Sequence, residues 1–160
     1  MTVGHDVAVS SPETRLLFDD ISVGMVMSAS EAYEITADEI VEVAERWDPQ
    51  PFHLDPVAAA ASHFGGLVAS GLHTIAASLA LGYREAPGTA SVAGLGMDEL
   101  RFLHPVRPGD RLQQSTEVVE VRPSGSRPDR GVVRGRRTVN NQDGVTVLVY
   151  VLTWMVERAA

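Results

Sequence analysis

The chain has 160 residues, the usual size of one domain, and hydrophobic residues make up 44% of it, so a real core is expected and disorder is not. The formal charge of −8 argues against a general nucleic-acid binder or a binder of anionic membranes, and a phosphate-bearing ligand would need a local basic patch. All 13 basic residues are Arg and there is no Cys, which excludes Schiff-base chemistry, a P-loop lysine, thiolate nucleophiles, disulfides and Cys-based zinc sites.

Residues 1–17 are polar, mixed and without period, and are expected to form a flexible arm, with a single domain over residues 18–160. The N-terminus lacks a basic flank followed by an apolar run, so no signal peptide is expected. No apolar stretch is long enough to span a bilayer, and a cytoplasmic protein without membrane contact is the expectation. FDDISVGMV reads as a turn into a strand, and MSASEAYEI alternates weakly enough to be another. Thr36 and Glu39 have capping-box spacing, and Ile40, Val43, Ala44 and Trp47 share one helical face, which predicts a helix over 37–47. Pro49 and Pro51 stop it. Asp55-Pro56 is an N-cap followed by proline at the first helical position, opening a short helix broken at Phe64-Gly65-Gly66. Ser70 can cap the next run, GLHTIAASLALGY, which is small or apolar on nearly every face and should be a buried central helix. From Pro87-Gly88 onward β-branched residues and turn signals (RPGD, RPSGSRPD, NNQDG) predict about four long antiparallel strands. The fold class is therefore α+β, a long curved sheet wrapped around one apolar helix.

Within WDPQPFHLD the residues of interest are Asp48 and His53. Two prolines forbid a regular helix and should hold the loop extended and stiff, which suits the fixing of catalytic groups. A neutral imidazole is a competent base near pH 7, and a carboxylate beside it can orient it or exchange its proton. The plain alternative is that both residues cap helices, and the local pattern alone leaves the two readings open. Gln50 is expected to lock the loop through side-chain hydrogen bonds, and Asp55 is an N-cap. At Ser70-Gly71 free N–H groups and the positive end of the helix dipole meet, an arrangement able to hold an oxyanion, though spacing alone equally describes an ordinary cap. Ser70 is no nucleophile elbow, because Val68 stands where GxSxG needs glycine. His63, His73 and His104 show no metal-ligand spacing, so no metal site is expected. His73 reads as a satisfied core histidine, His104 as a strand end, and Arg134, Arg136 and Arg137 as a solvated face with a phosphate contact as the alternative.

Taken together, Asp48, Pro49, Gln50, Pro51, His53, Asp55, Phe64-Gly65-Gly66, Ser70-Gly71-Leu72-His73 and the downstream LRFLHPVRPGDRL resemble the MaoC-like dehydratase family, which includes the (R)-specific enoyl-CoA hydratases, over about residues 20–157. The resemblance implies a hot-dog fold and pairing into a homodimer or dimer of dimers, with an acyl-CoA channel near the interface. It implies that Asp48 and His53 hold one water and add it across a double bond conjugated to a thioester. It implies that the Gly71 N–H contacts the thioester oxygen, with Gln50 and Ser70 in support. Gln50 stands where the family signature has Asn, a departure that bears on substrate more than on chemistry.

The expected activity is enoyl-CoA hydration or 3-hydroxyacyl-thioester dehydration, with CoA or acyl-carrier protein carrying the substrate and no metal or redox cofactor. Two other readings remain open. One is a hot-dog acyl-CoA thioesterase, against which the lack of Asp and Glu in residues 71–83 counts. The other is a non-catalytic acyl-CoA-binding subunit.

Overall fold

The computed structural model describes residues 15–86 and 88–159. Its strands in chain order are β1 (Val26–Ala29), β2 (Tyr33–Glu34), β3 (Glu85–Ala86), β4 (Ser91–Phe102), β5 (Arg111–Pro123), β6 (Arg130–Asn140) and β7 (Thr146–Glu157). The helices α1 (Ala37–Trp47), α2 (Pro51–Leu54), α3 (Pro56–Ala61) and α4 (Gly71–Gly82) all fall between β2 and β3. Among the described residues the strands form one antiparallel sheet, ordered β3-β1-β5-β6-β7-β4, with β2 also paired to β5. This is the hot-dog arrangement that the resemblance implies.

The four long strands follow the β-branched texture of residues 91–157 closely. Along β6 and β7 the inward side chains, Val133, Val139, Leu148, Tyr150 and Val156 among them, are fully or almost fully buried. Ala77 and Leu81 of α4 enter the same cluster, so the helix covers the sheet through small and branched side chains. α1 ends where expected, with the Thr36 hydroxyl accepting from the Glu39 N–H at 3.2 Å.

Three expectations change. Leu16 is not part of a loose arm: its N–H donates to Gly88 O at 2.8 Å and it forms a parallel bridge with Thr89. The rest of the arm, residues 1–14, lies outside the described residues. α4 is not buried on every face, for Leu72, Ala76, Leu79 and Tyr83 form an exposed stripe along it. The arginine stretch on β6 is not a single solvated face. Arg134 pairs with Glu120 and Asp98 and Arg136 is exposed, but Arg137 is buried.

Candidate active site

Asp48 follows the last residue of α1 and leaves helical geometry, while its N–H still donates to Ala44 O. The expectation of an extended loop fails at Pro51, which begins a one-turn helix; its missing N–H costs nothing at the first helical position. The turn is locked by the main chain. The Gln50 N–H donates to Asp48 O at 2.7 Å, the His53 N–H to Gln50 O at 2.9 Å, and the Asp55 N–H to Pro51 O at 3.0 Å. Gln50 precedes the helix and makes no side-chain capping bond, so the lock expected of its amide is supplied by its backbone. Asp55 caps α3 as expected, accepting from the Val57 N–H.

His53 is held on the inner side of this turn, only 6% exposed. Its Nδ1 lies 2.6 Å from the Val68 carbonyl oxygen. A carbonyl can only accept, so Nδ1 carries the proton, and in the neutral ring the lone pair belongs to Nε2. That nitrogen faces Asp48 Oδ2 at 3.5 Å. The Asp48 side chain is half-buried, so the pair sits at the boundary of the core and solvent. The Phe52 ring stands edge-on to the imidazole, with centroids 4.6 Å apart, and Phe64 packs on Phe52 behind it.

Ser70 caps α4 through its hydroxyl, which accepts from the His73 N–H at 3.1 Å. The first turn has no carbonyl inside the helix for the N–H groups of Gly71 and Leu72. A Cβ on Gly71 would come within 2.6 Å of Cζ of Phe102, so glycine here lets that ring cover the helix start. Residues His53, Gly71, Phe64, Phe102, Leu103 and His104 share a cavity of about 370 Å3. The structure thus gathers a base, a helix N-terminus and an apolar wall around one space, with Asp48 reaching the imidazole from the end of α1.

Phe102 and His104 were not singled out as site residues by the sequence. His104 follows β4, and its Nδ1 meets Thr146 O at 2.8 Å; the LRFLHPV stretch carries the signal only in hindsight, because it reads first as a strand end. His73 differs from a satisfied core histidine. It is buried, its Nε2 lies 3.4 Å from Glu39 Oε1, and neither ring nitrogen is in hydrogen-bond geometry. Glu39 also accepts from the Tyr33 hydroxyl. Among the described residues no group of three His, Asp or Glu side chains is placed to hold a metal ion, and no helix is long and apolar enough to cross a membrane.

Residues 20–141 match the MaoC like domain. The chain belongs to the MaoC-like dehydratase family. It is 36% identical over 120 residues to the 3-hydroxybutyryl-CoA dehydratase of Methylorubrum extorquens, covering 72% of this chain and 73% of that protein. It is 30% identical over 141 residues to the Bacillus subtilis protein YdeM, described as uncharacterized, covering 88% of this chain and 98% of that one. The crystal structure of a MaoC-like dehydratase from Rhodospirillum rubrum superposes with a TM-score of 0.83 at 38% identity, covering 91% of this chain and 99% of that one. Asp48, His53 and Gly71 lie inside the matched residues.

Proposed function

We propose that this protein adds water across the double bond of an enoyl thioester and, in reverse, removes water from a 3-hydroxyacyl thioester. The observation that carries this is the Val68 carbonyl on His53 Nδ1, which leaves a basic Nε2 facing Asp48 beside the cavity that holds Gly71. Two acceptors 3.5 Å apart are well placed to share one water that donates a hydrogen to each.

In the forward direction the water oxygen bonds to C3 as its proton passes to Nε2. The C2–C3 π electrons move toward the thioester, whose oxygen gains charge at the Gly71 N–H and the positive end of α4. The proton on Nε2 returns to C2 by way of the Asp48 carboxylate, so C2 gains a hydrogen, C3 a hydroxyl, and the enzyme ends as it began. The scheme uses neither metal nor redox cofactor. CoA or an acyl-carrier protein carries the acyl group. Run in deuterium oxide with but-2-enoyl-CoA, the reaction should place deuterium at C2 without releasing CoA. Release of CoA from a saturated acyl-CoA would point to a thioesterase instead, and binding of acyl-CoA without turnover to a non-catalytic subunit.

We also propose a homodimer. β4 is an edge strand, and Val92, Leu95 and Met97 on it are exposed. The exposed apolar stripe of α4 lies on the same chain, and a second copy would pair the edge and cover both.

A further inference from the structure

One side chain in the wall of the cavity shared by His53 and Gly71 takes no part in the proposed proton transfers: Phe102. A Cβ on Gly71 would lie 2.6, 2.9 and 3.0 Å from Cζ, Cε2 and Cε1 of its ring, so the far edge of the ring fills the space of a missing methyl group. On a helix the Cβ position leans toward the N-terminus, and a first-turn N–H points the same way. The ring therefore flanks the place of an oxygen that accepts from the Gly71 N–H, which would lie about 2.9 Å from the nitrogen.

The backbone aims this ring. Between Asp98 and Arg101, β4 carries one residue more than β7 opposite it, for Asp98 pairs with Val151 and Arg101 with Val149. Among the described residues Glu99, inside this bulge, is the non-glycine residue with a positive φ, 54°. Such a conformation is costly for a residue with a side chain and persists where the surroundings impose it. Side chains alternate along a strand, so one extra residue turns every later side chain to the opposite face. After the bulge Phe102 pairs with Leu148, and the Leu103 N–H donates to Val147 O at 2.9 Å, so the strand end that carries the ring is fixed.

We propose that Phe102 is a specificity-determining residue, which admits enoyl thioesters with hydrogen at C2 and rejects those with a C2 branch. This role rests on the proposed hydration, in which the thioester oxygen accepts from the Gly71 N–H and C3 faces His53 and Asp48. C2 lies between these two fixed points, against the wall that Phe102 forms. A methyl on C2 would meet the ring as a methyl on Gly71 would. A branch beyond C3 would not, because the chain has passed the ring there.

Hydration of but-2-enoyl-CoA is compared with that of 2-methylbut-2-enoyl-CoA. Wild type should favour the unbranched substrate by about tenfold or more in kcat/KM, the scale on which a pocket discriminates one methyl group. Phe102→Ala should bring the ratio close to one and Phe102→Leu should fall between, each at matched circular dichroism and sedimentation. The leucine variant serves if the alanine variant fails to fold. The ratio of 4-methylpent-2-enoyl-CoA to but-2-enoyl-CoA should stay the same in all of these proteins, which a general loosening of the site would not allow. Calorimetric titration with butanoyl-CoA and 2-methylbutanoyl-CoA reads the preference without turnover: wild type should bind the unbranched thioester more tightly, and Phe102→Ala should bind the two alike. That binding preference without hydration of any enoyl-CoA would contradict the hydration and leave the role of the ring standing. Equal binding and equal hydration of branched and unbranched thioesters by wild type, or an unchanged preference in the Phe102 variants, would overturn the proposal.

Discussion

The carbonyl of Val68 decides which nitrogen of a neutral His53 keeps its lone pair. Its neighbour across the cavity, Gly71, is defined by the ring lying on it. Gly71→Ala keeps the N–H but drives a methyl into Phe102, and should lower kcat/KM for an enoyl-CoA. Phe102→Ala in the same chain should restore much of the loss, with a coupling of about 1 kcal/mol or more in a double-mutant cycle on kcat/KM. Strictly additive losses would mean that the ring does not mediate the effect. Glu85 carries a second consequence. Burial raises its carboxyl above 4.5 in the folded state. A group raised on folding contributes its full stability below its unfolded pKa and loses it as pH rises through the folded value. Thermal melts of Glu85→Gln against wild type should therefore move in favour of the variant as pH rises from about 4.5, and a constant difference would contradict this.

Between elements, α1 packs against α4. Tyr33 donates to Glu39 on α1, and Glu39 stands 3.4 Å from His73 on the first turn of α4. This strut joins the helix that ends at Asp48 to the helix that begins at Gly71. Burial, and then the Glu39 carboxylate, push the Tyr33 hydroxyl up to about 12 from 10.0. Folding stability should fall as pH climbs from 10.0 toward about 12, because the unfolded chain loses its tyrosine proton first. Urea melts across that window should show a weaker fall for Tyr33→Phe, and an equal fall would rule the strut out as its source. On the buried side of α4, Leu81 is fully enclosed, and Leu81→Ala should cost about 3 kcal/mol in the same melts.

At the scale of the whole molecule, the long strands and α1 were legible because their signals are local: alternation, capping and the Pro and Gly punctuation around them. The family pattern singles out Asp48, His53 and Gly71 together, and the structure places His53 and Gly71 on one cavity with Asp48 beside the imidazole. What could not be read locally depends on contacts far apart in sequence. Val68 is fifteen residues from His53, and nothing in WDPQPFHLD names it. Arg137 reads as surface on β6, and only the packing of α4, with Gly82 over the guanidinium, shows that it is buried. The exposed stripe of α4 was hidden by the same logic, since an apolar helix looks alike whether a core or a second chain covers it. Sedimentation should show a dimer, and charged substitutions at Leu95 on β4 should give monomers; a monomeric wild type would contradict the pairing.

Hydration as proposed depends on Asp48 and His53 sharing one water. The rate of hydration of but-2-enoyl-CoA by Asp48→Asn, compared with wild type at matched circular dichroism, tests it. The carboxamide keeps the size of the side chain and loses its proton chemistry, so kcat/KM should fall by about 10²–10⁴-fold. A folded Asp48→Asn protein that hydrates the substrate at the wild-type rate would rule out a water shared by Asp48 and His53.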